Sequence, residues 1–365
     1  MIKKNNSNTI YRSLFLSAPI FIIGLFAATQ AISKTDMQMN IATGVTIVYL
    51  FSMFFLIIHN KKTYKYRSIL FITIALAFPL GFILDLYELR GHFMTLTFEN
   101  MLTNETKFCS IGITQNILPL IFNKEILFPI AVKDVAITLL IVLTFGLMIG
   151  RAWCSWGCFW GGWEEGCSRI RKKAVIKKTN PKLRLLPFAV LLSTAFLSTA
   201  FFTSFYCFWL CPFKTVSEFV EVSTPKVFVQ TVIFLSLFFA LVVVLPIMTK
   251  KRIQCTTLCP LGAFMSFFHK INPFTIVMDR KKCIDCKKCI KVCPVLALSK
   301  ESLNDGKTNI SCIRCAKCVD NCHEKAISFH IYGTKLYAKP ELKRMLFLYP
   351  ASFVTFFIGA GAIQQ

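Results

Sequence analysis

Eight cysteines between residues 283 and 322 constrain this chain more than any other feature. Cys283, Cys286, Cys289 and Cys293 read C-x2-C-x2-C-x3-C and are followed by Pro294. Cys312, Cys315, Cys318 and Cys322 repeat the spacing, with His323 where a second proline would stand. An iron–sulfur cube needs four thiolates converging on soft iron, and a loop with two residues between cysteines wraps three of its corners. In the two-cluster arrangement the fourth cysteine of each run crosses to the other cube. The spacing predicts one [4Fe–4S] cluster on Cys283, Cys286, Cys289 and Cys322, and a second on Cys312, Cys315, Cys318 and Cys293. Structural zinc favours paired C-x2-C knuckles over triple runs closed by x3-C. A disulfide framework needs an oxidising compartment, against which the charge pattern argues.

Around this module the chain is not water-soluble in character. Hydrophobic residues make up 55% of 365, charged residues 16%, and there are 37 Phe. That is the composition of a polytopic membrane protein carrying a smaller polar domain. Apolar runs at 12–32, 41–59, 68–88, 134–150, 183–206 and 227–248 each approach the ~20 residues that cross a hydrocarbon core, and a seventh at 344–363 contains Pro350, Gly359 and Gly361. The net charge of +24 sits mostly in alternate loops: Lys61, Lys62, Lys65 and Arg67; then Arg151, Arg169, Arg171 and the lysines up to Lys182; then residues 250–252. With residues 1–11 inside, each of these loops is cytoplasmic by the positive-inside rule. No aromatic-plus-basic RNA motif or zinc finger accompanies the charge, so nucleic acid is not an expected partner. The expected fold is an α-helical polytopic protein of six to seven transmembrane helices in the cell (inner) membrane. Its membrane domain covers 12–270, a small α+β double-cluster ferredoxin-like domain covers 275–343 on the cytoplasmic side, and a last transmembrane segment covers 344–365. The ferredoxin-like stretch holds 14 Lys/Arg against seven Asp/Glu. Such a basic face suits an acidic flavodoxin or ferredoxin, or equally anionic lipid.

A second cysteine set lies upstream. Cys154/Cys158, Cys207/Cys211 and Cys255/Cys259 are C-x3-C pairs, with Pro212 and Pro260 after the last two and Phe159 after the first. Residues i and i+4 share a helix face, so each pair can aim two thiolates one way. Cys154, Cys158, Cys255 and Cys259 all follow helices that exit on the cytoplasmic side, and together could hold a third [4Fe–4S] cluster. Buried thiols or a redox-active dithiol are the other readings. Helix counting puts Cys207 and Cys211 at the outer face with Cys109, where the three could help hold a further cluster, pair as a disulfide or remain thiols. Cys167 has no evident partner. Trp153, Trp156, Trp160 and Trp163 fit an aromatic interface belt. His59 and His269, at cytoplasmic helix ends, could approach a quinone head group. No histidine among His59, His92, His269, His323 and His330 lies at a helix centre, which argues against a b-type haem.

The elements RAWCSWGC and CPLGAF, followed by the double-cluster run, resemble the polyferredoxin-type membrane proteins typified by NapH, NosR and CcoG. The resemblance covers about residues 134–330. It implies a membrane electron-transfer subunit working between the quinone pool or a cytoplasmic donor and another respiratory redox subunit. It also leaves open two alternatives, an accessory protein that reduces metal centres during maturation of a respiratory enzyme and a redox sensor. No Walker loop, Rossmann fingerprint or hydrolase triad is present, so the expected role is electron transfer rather than bond-making catalysis, with no catalytic residue assigned.

Overall fold

The computed structural model describes residues 6–31, 37–88, 111, 114, 117, 121–122, 132–201, 205–214, 224–335 and 339–361. Cys109 and most of the 89–133 stretch lie outside the described residues.

Long apolar runs become helices because the chain satisfies its own backbone there. These are α1 (Asn6–Ala31), α2 (Met37–His59), α3 (Thr63–Glu88) and α4 (Val132–Ile149). A 3-10 turn (Gly150–Ala152) leads into α5 (Trp153–Trp156) and α6 (Phe159–Ile170). After α7 (Leu186–Phe201) and the short α8 (Phe205–Trp209), α9 (Pro225–Leu237) passes through a π-helical stretch, Phe238–Val244, into α10 (Leu245–Thr249). Pro246 accounts for the widening, since its ring would clash with the carbonyl four residues back. Next come α11 (Ile253–Thr257) and α12 (Pro260–Ile271), then β1 (Phe274–Met278), α13 (Lys288–Val292), α14 (Lys300–Asn304), α15 (Lys317–Asp320) and β2 (Ile327–Ile331). The last element is α16 (Pro340–Gly361). β1 and β2 pair antiparallel, Phe274 opposite Ile331 and Met278 opposite Ile327.

Among the described residues three stretches are long and apolar enough to cross a membrane: Leu139–Ile170, Pro181–Phe201 and Pro225–Thr249, with mean hydropathies of 1.6, 1.6 and 2.8. The expectation of six to seven spans is not supported by that measure. Helices do occupy the other apolar runs, but α16 turns Phe347, Leu348, Ala351 and Val354 wholly into the protein. It packs on α1, α2, α4, α5 and β2.

Two further expectations change. Trp153 and Trp156 are not an interface belt; both are buried in the core, where Trp153 stacks on Phe145 and Trp156 meets Phe347 edge-on. Arg67 and Arg151 are not solvated loop cations either, being only 1% exposed. Arg67 donates to Glu165 at 2.5 Å and to the Ser155 carbonyl at 2.6 Å, clamping α3 to the α5–α6 turn.

Removing one partner of a buried ion pair strands the other. Arg67→Ala is therefore expected to lower unfolding stability in detergent by about 3–5 kcal/mol, read by thermal melting. A change below 1 kcal/mol would show that the pair does not hold α3 in place.

Candidate iron–sulfur site at the membrane face

The two cysteine runs of the polar domain are structural repeats. Non-glycine residues in the left-handed region occur at Asp285, Lys287 and Leu296 in the first and at Arg314, Ala316 and Lys325 in the second, the same three positions in each. Each such residue costs of the order of 1 kcal/mol, so the strain lies in the loops that carry the thiols. Backbone amides turned inward by such residues form anion-binding nests. Cys293, Cys312, Cys315 and Cys318, all 7% exposed, line one cavity with Ile276, Leu298 and Ile313. The structure thus gathers one cysteine of the first run with three of the second. The Ala297 amide donates to Cys293 Sγ at 3.3 Å. Burial, set against the nearby Arg67 charge, pushes the Cys315 thiol up to about 12.

The other four differ in exposure. Cys286 is exposed, while Cys283, Cys289 and Cys322 are partly buried. Burial, and then the neighbouring Cys283 and Cys286, push the Cys289 thiol up to about 11. Ile284 beside them is 67% exposed. One thiol set faces the protein interior and the other faces solvent. None of the eight is in a disulfide.

The upstream pairs are also repeats, R-x2-C-x3-C-x2-G at Arg151 to Gly161 and again at Arg252 to Gly262. In both, a one-turn helix carries the first cysteine, and the second becomes the N-cap of the next helix: Cys158 for α6 and Cys259 for α12. The Cys158 amide donates to the Trp153 carbonyl at 2.9 Å and the Cys259 amide to that of Gln254 at 3.1 Å, giving the same turn twice. Cys154, Cys158, Cys255 and Cys259 are each 8% exposed or less. The Cys255 and Cys259 thiols are pushed well up by burial first. For Cys255 the Arg252 charge opposes this, and the charges of Glu164, Cys259 and Cys154 add to it; for Cys259 the added charges are Cys154 and Cys158. Arg252, bonded to Cys255 Sγ and packed against Gly161, brings the two cysteine turns together. Metal-bound thiols are deprotonated, so iron binding here would release protons and offset that repulsion.

Hydrogen bonds join this set to the cavity above it. Ser155, between Cys154 and Cys158, donates to the Ile313 carbonyl at 2.6 Å. The Arg252 amide donates to the Pro294 carbonyl at 2.8 Å. Lys251 donates to the carbonyls of Lys291 at 2.7 Å and Cys293 at 2.6 Å. Arg314, fully enclosed, donates to the Ile149 carbonyl at 2.5 Å and meets His269 Nδ1 at 3.1 Å. Gly150, at φ +55, leaves room for that guanidinium. His269 is therefore covered rather than open to a membrane ligand. Its protonation falls to about 3 through burial and then the Arg314 and Arg151 charges.

Cys207 and Cys211 are not a membrane's width from the other pairs. Gln254, next to Cys255, donates to the Tyr206 hydroxyl at 3.0 Å, and Trp160 stacks on Phe213 at 4.8 Å. Two side chains cannot bridge ~30 Å of hydrocarbon, so the outer-face placement is corrected. The Phe205 amide donates to Ser198 of α7, and the chain doubles back there instead of passing on. Cys167 is partly buried on α6.

Among the described residues no three His, Cys, Asp or Glu side chains are gathered as a single metal ion would require. A four-iron cube spreads its thiolates around its own width. An all-thiol donor set in an apolar cavity suits iron–sulfur chemistry better than zinc with mixed ligands or hard cations. The enclosure of Arg151 and Arg252 was missed in the sequence. Their position three residues before each first cysteine was the available signal, hidden among cations that orient loops.

Comparison with known proteins agrees with this donor chemistry. A 4Fe-4S dicluster domain matches residues 275–333. A 4Fe-4S binding domain matches three times, over 135–178, 185–227 and 231–281, each stretch holding one C-x3-C pair. An uncharacterized protein of Methanocaldococcus jannaschii is 29% identical over 52% of this chain and 76% of its own length. Escherichia coli YccM, whose name assigns it provisionally to electron transport, is 26% identical over 45% of this chain and 47% of its own. A second uncharacterized M. jannaschii protein is 24% identical over 44% and 57%. No solved structure matches. The chain carries iron–sulfur binding domains in both its apolar and its polar parts.

A Cβ on Gly161 would lie 1.8 Å from Arg252 Nη2, whereas on Gly166 its nearest neighbour, Ile72, stands at 3.7 Å. Gly161→Ala is expected to cost about 1–3 kcal/mol as an overpacked site, and Gly166→Ala to be neutral or stabilising by up to about 1 kcal/mol. Thermal melts that rank the two the other way would contradict the packing around Arg252.

Proposed function

We propose that the protein is a membrane-anchored iron–sulfur electron carrier. It relays single electrons between a cytoplasmic redox partner and a quinone or a second redox protein at the membrane. Clusters bound at these cysteines would supply one-electron acceptors whose charge is spread over four irons. Cys283, Cys286, Cys289 and Cys322 would hold the solvent-side cluster, and Cys312, Cys315, Cys318 and Cys293 the interior one. Cys154, Cys158, Cys255 and Cys259 would hold a third at the membrane face. This assignment extends the matched domains to a specific ligand set.

One observation carries the proposal: the loops of the third set bond directly to the loops of the second. Ser155 reaches Ile313, next to Cys312, and Arg252 reaches Pro294, next to Cys293. One hydroxyl-to-carbonyl and one backbone hydrogen bond thus tie the loops of the two thiol sets together. At the opposite end, exposed Cys286 and Ile284 stand among Arg280, Lys281, Lys282 and Lys287. That gives an acidic flavodoxin or ferredoxin a docking face next to the solvent-side thiols. The ferredoxin-like domain is read as cytoplasmic and the chain as multi-pass in the inner membrane. E. coli YccM, by its name, is consistent with the same class of role.

Purified protein mixed with a reduced acidic ferredoxin is expected to bleach in the visible, with a rate that falls about tenfold or more between low and high salt. Subsequent addition of a water-soluble quinone should restore the absorbance. Absence of bleaching with both ferredoxin and quinol donors would contradict an electron-relay role.

A further inference from the structure

Arg151 and Arg252 occupy equivalent positions in the repeated motif and are 1% and 0% exposed. Enclosing a guanidinium costs several kcal/mol unless an anion answers it. Arg252 has Glu164, whose carboxylate lies 3.7 Å from its Nε, and its Nη2 donates to Cys255 Sγ at 3.0 Å. That carboxylate also accepts from the Cys255 amide at 3.3 Å. Arg151 donates to the neutral hydroxyl of Ser266. A Cβ on Gly262 would lie 3.5 Å from Arg151 Nη2 and 3.8 Å from Cys259 Cβ, which puts that guanidinium beside the second cysteine turn. Both arginines keep buried donors without a hydrogen-bond partner: Arg151 Nε, and Arg252 Nε and Nη1. Two cations meeting one directly opposed carboxylate, with donors to spare, describe a pocket built for further negative charge.

We propose that Arg151 and Arg252 are a charge-balancing pair for a cluster held by Cys154, Cys158, Cys255 and Cys259. This rests on the third-cluster reading above. A four-iron cube with four thiolates is anionic, and reduction by one electron adds one negative charge without breaking a bond. A buried cation beside it favours the reduced form and raises the reduction potential. Arg252 touches the Cys255 thiol directly, whereas Arg151 stands at the Gly262 end of the same turn. Both are positioning residues, acting on the cluster through charge and N–H···S contacts. Gly161 makes this possible for Arg252, since no side chain fits between that guanidinium and the α6 backbone.

The test is an EPR-monitored redox titration, with dithionite and mediators, of the full-length protein in detergent, comparing wild type with Arg151→Gln, Arg252→Gln and the two Lys variants. Arg252→Gln is expected to shift the reduction equilibrium of the membrane-side cluster by about tenfold toward the oxidised form, equivalent to about 59 mV for a one-electron couple. The polar-domain clusters should stay in place. Arg151→Gln is expected to shift the membrane-side cluster in the same direction. The Lys variants should keep most of the wild-type potential. Loss of the membrane-side signal in a Gln variant but not its Lys counterpart also supports charge balancing. Unchanged potentials in both Gln variants would overturn the proposal while leaving the third cluster standing. So would loss of the signal in Gln and Lys variants alike, with the other clusters intact. A wild-type spectrum with two cluster signals only would overturn both the pair and the reading beneath it.

Discussion

Burial of charge that needs an opposite charge governs this molecule. Arg67, Arg151, Arg252 and Arg314 are among the largest fully enclosed side chains, and all four surround the cysteine loops. Arg67 has Glu165, and Arg252 has Glu164. Arg314 is held by a carbonyl and a neutral imidazole, and Arg151 by a hydroxyl. An apolar protein can tolerate this arrangement only where something anionic completes it. In the proposed third site, thiolates bound to iron would provide that anion. α5 and α11 end within about one turn, and Cys158 and Cys259 cap the helices that follow them.

The same interior fixes the polar domain on the apolar one. Ser155 to Ile313, Arg252 to Pro294 and Arg314 to Ile149 are short bonds between segments distant in sequence. At the domain's flank the Tyr64 amide of α3 donates to Asp320 at 2.8 Å. A ferredoxin-like unit docked on so many fixed contacts presents one thiol set inward and the other outward.

Much of this was legible in the sequence, because ligand spacing is a local property. The double C-x2-C-x2-C-x3-C run and the three C-x3-C pairs need no knowledge of tertiary structure, and domain matches fall on the same residues. Long-range electrostatics were not legible. Arg67 and Arg151 fall, in sequence, among the cations that flank apolar runs, so the positive-inside rule absorbed them. Trp153 and Trp156 resembled an interfacial belt because tryptophan is common both there and in packed cores. Cys207 was assigned the wrong side because helix counting treats each apolar run as one crossing. The chain after α7 instead folds back, tied by Phe205 to Ser198 and by Tyr206 to Gln254.

The central claim is that the membrane-face thiols form an iron–sulfur site continuous with the ferredoxin-like pair. Iron and acid-labile sulfide content of the anaerobically purified chain tests it most directly. Three cubes require about twelve of each per chain, and Cys154→Ser together with Cys255→Ser should reduce both to about eight. A wild-type value of about eight, unchanged in that double variant, would contradict the claim.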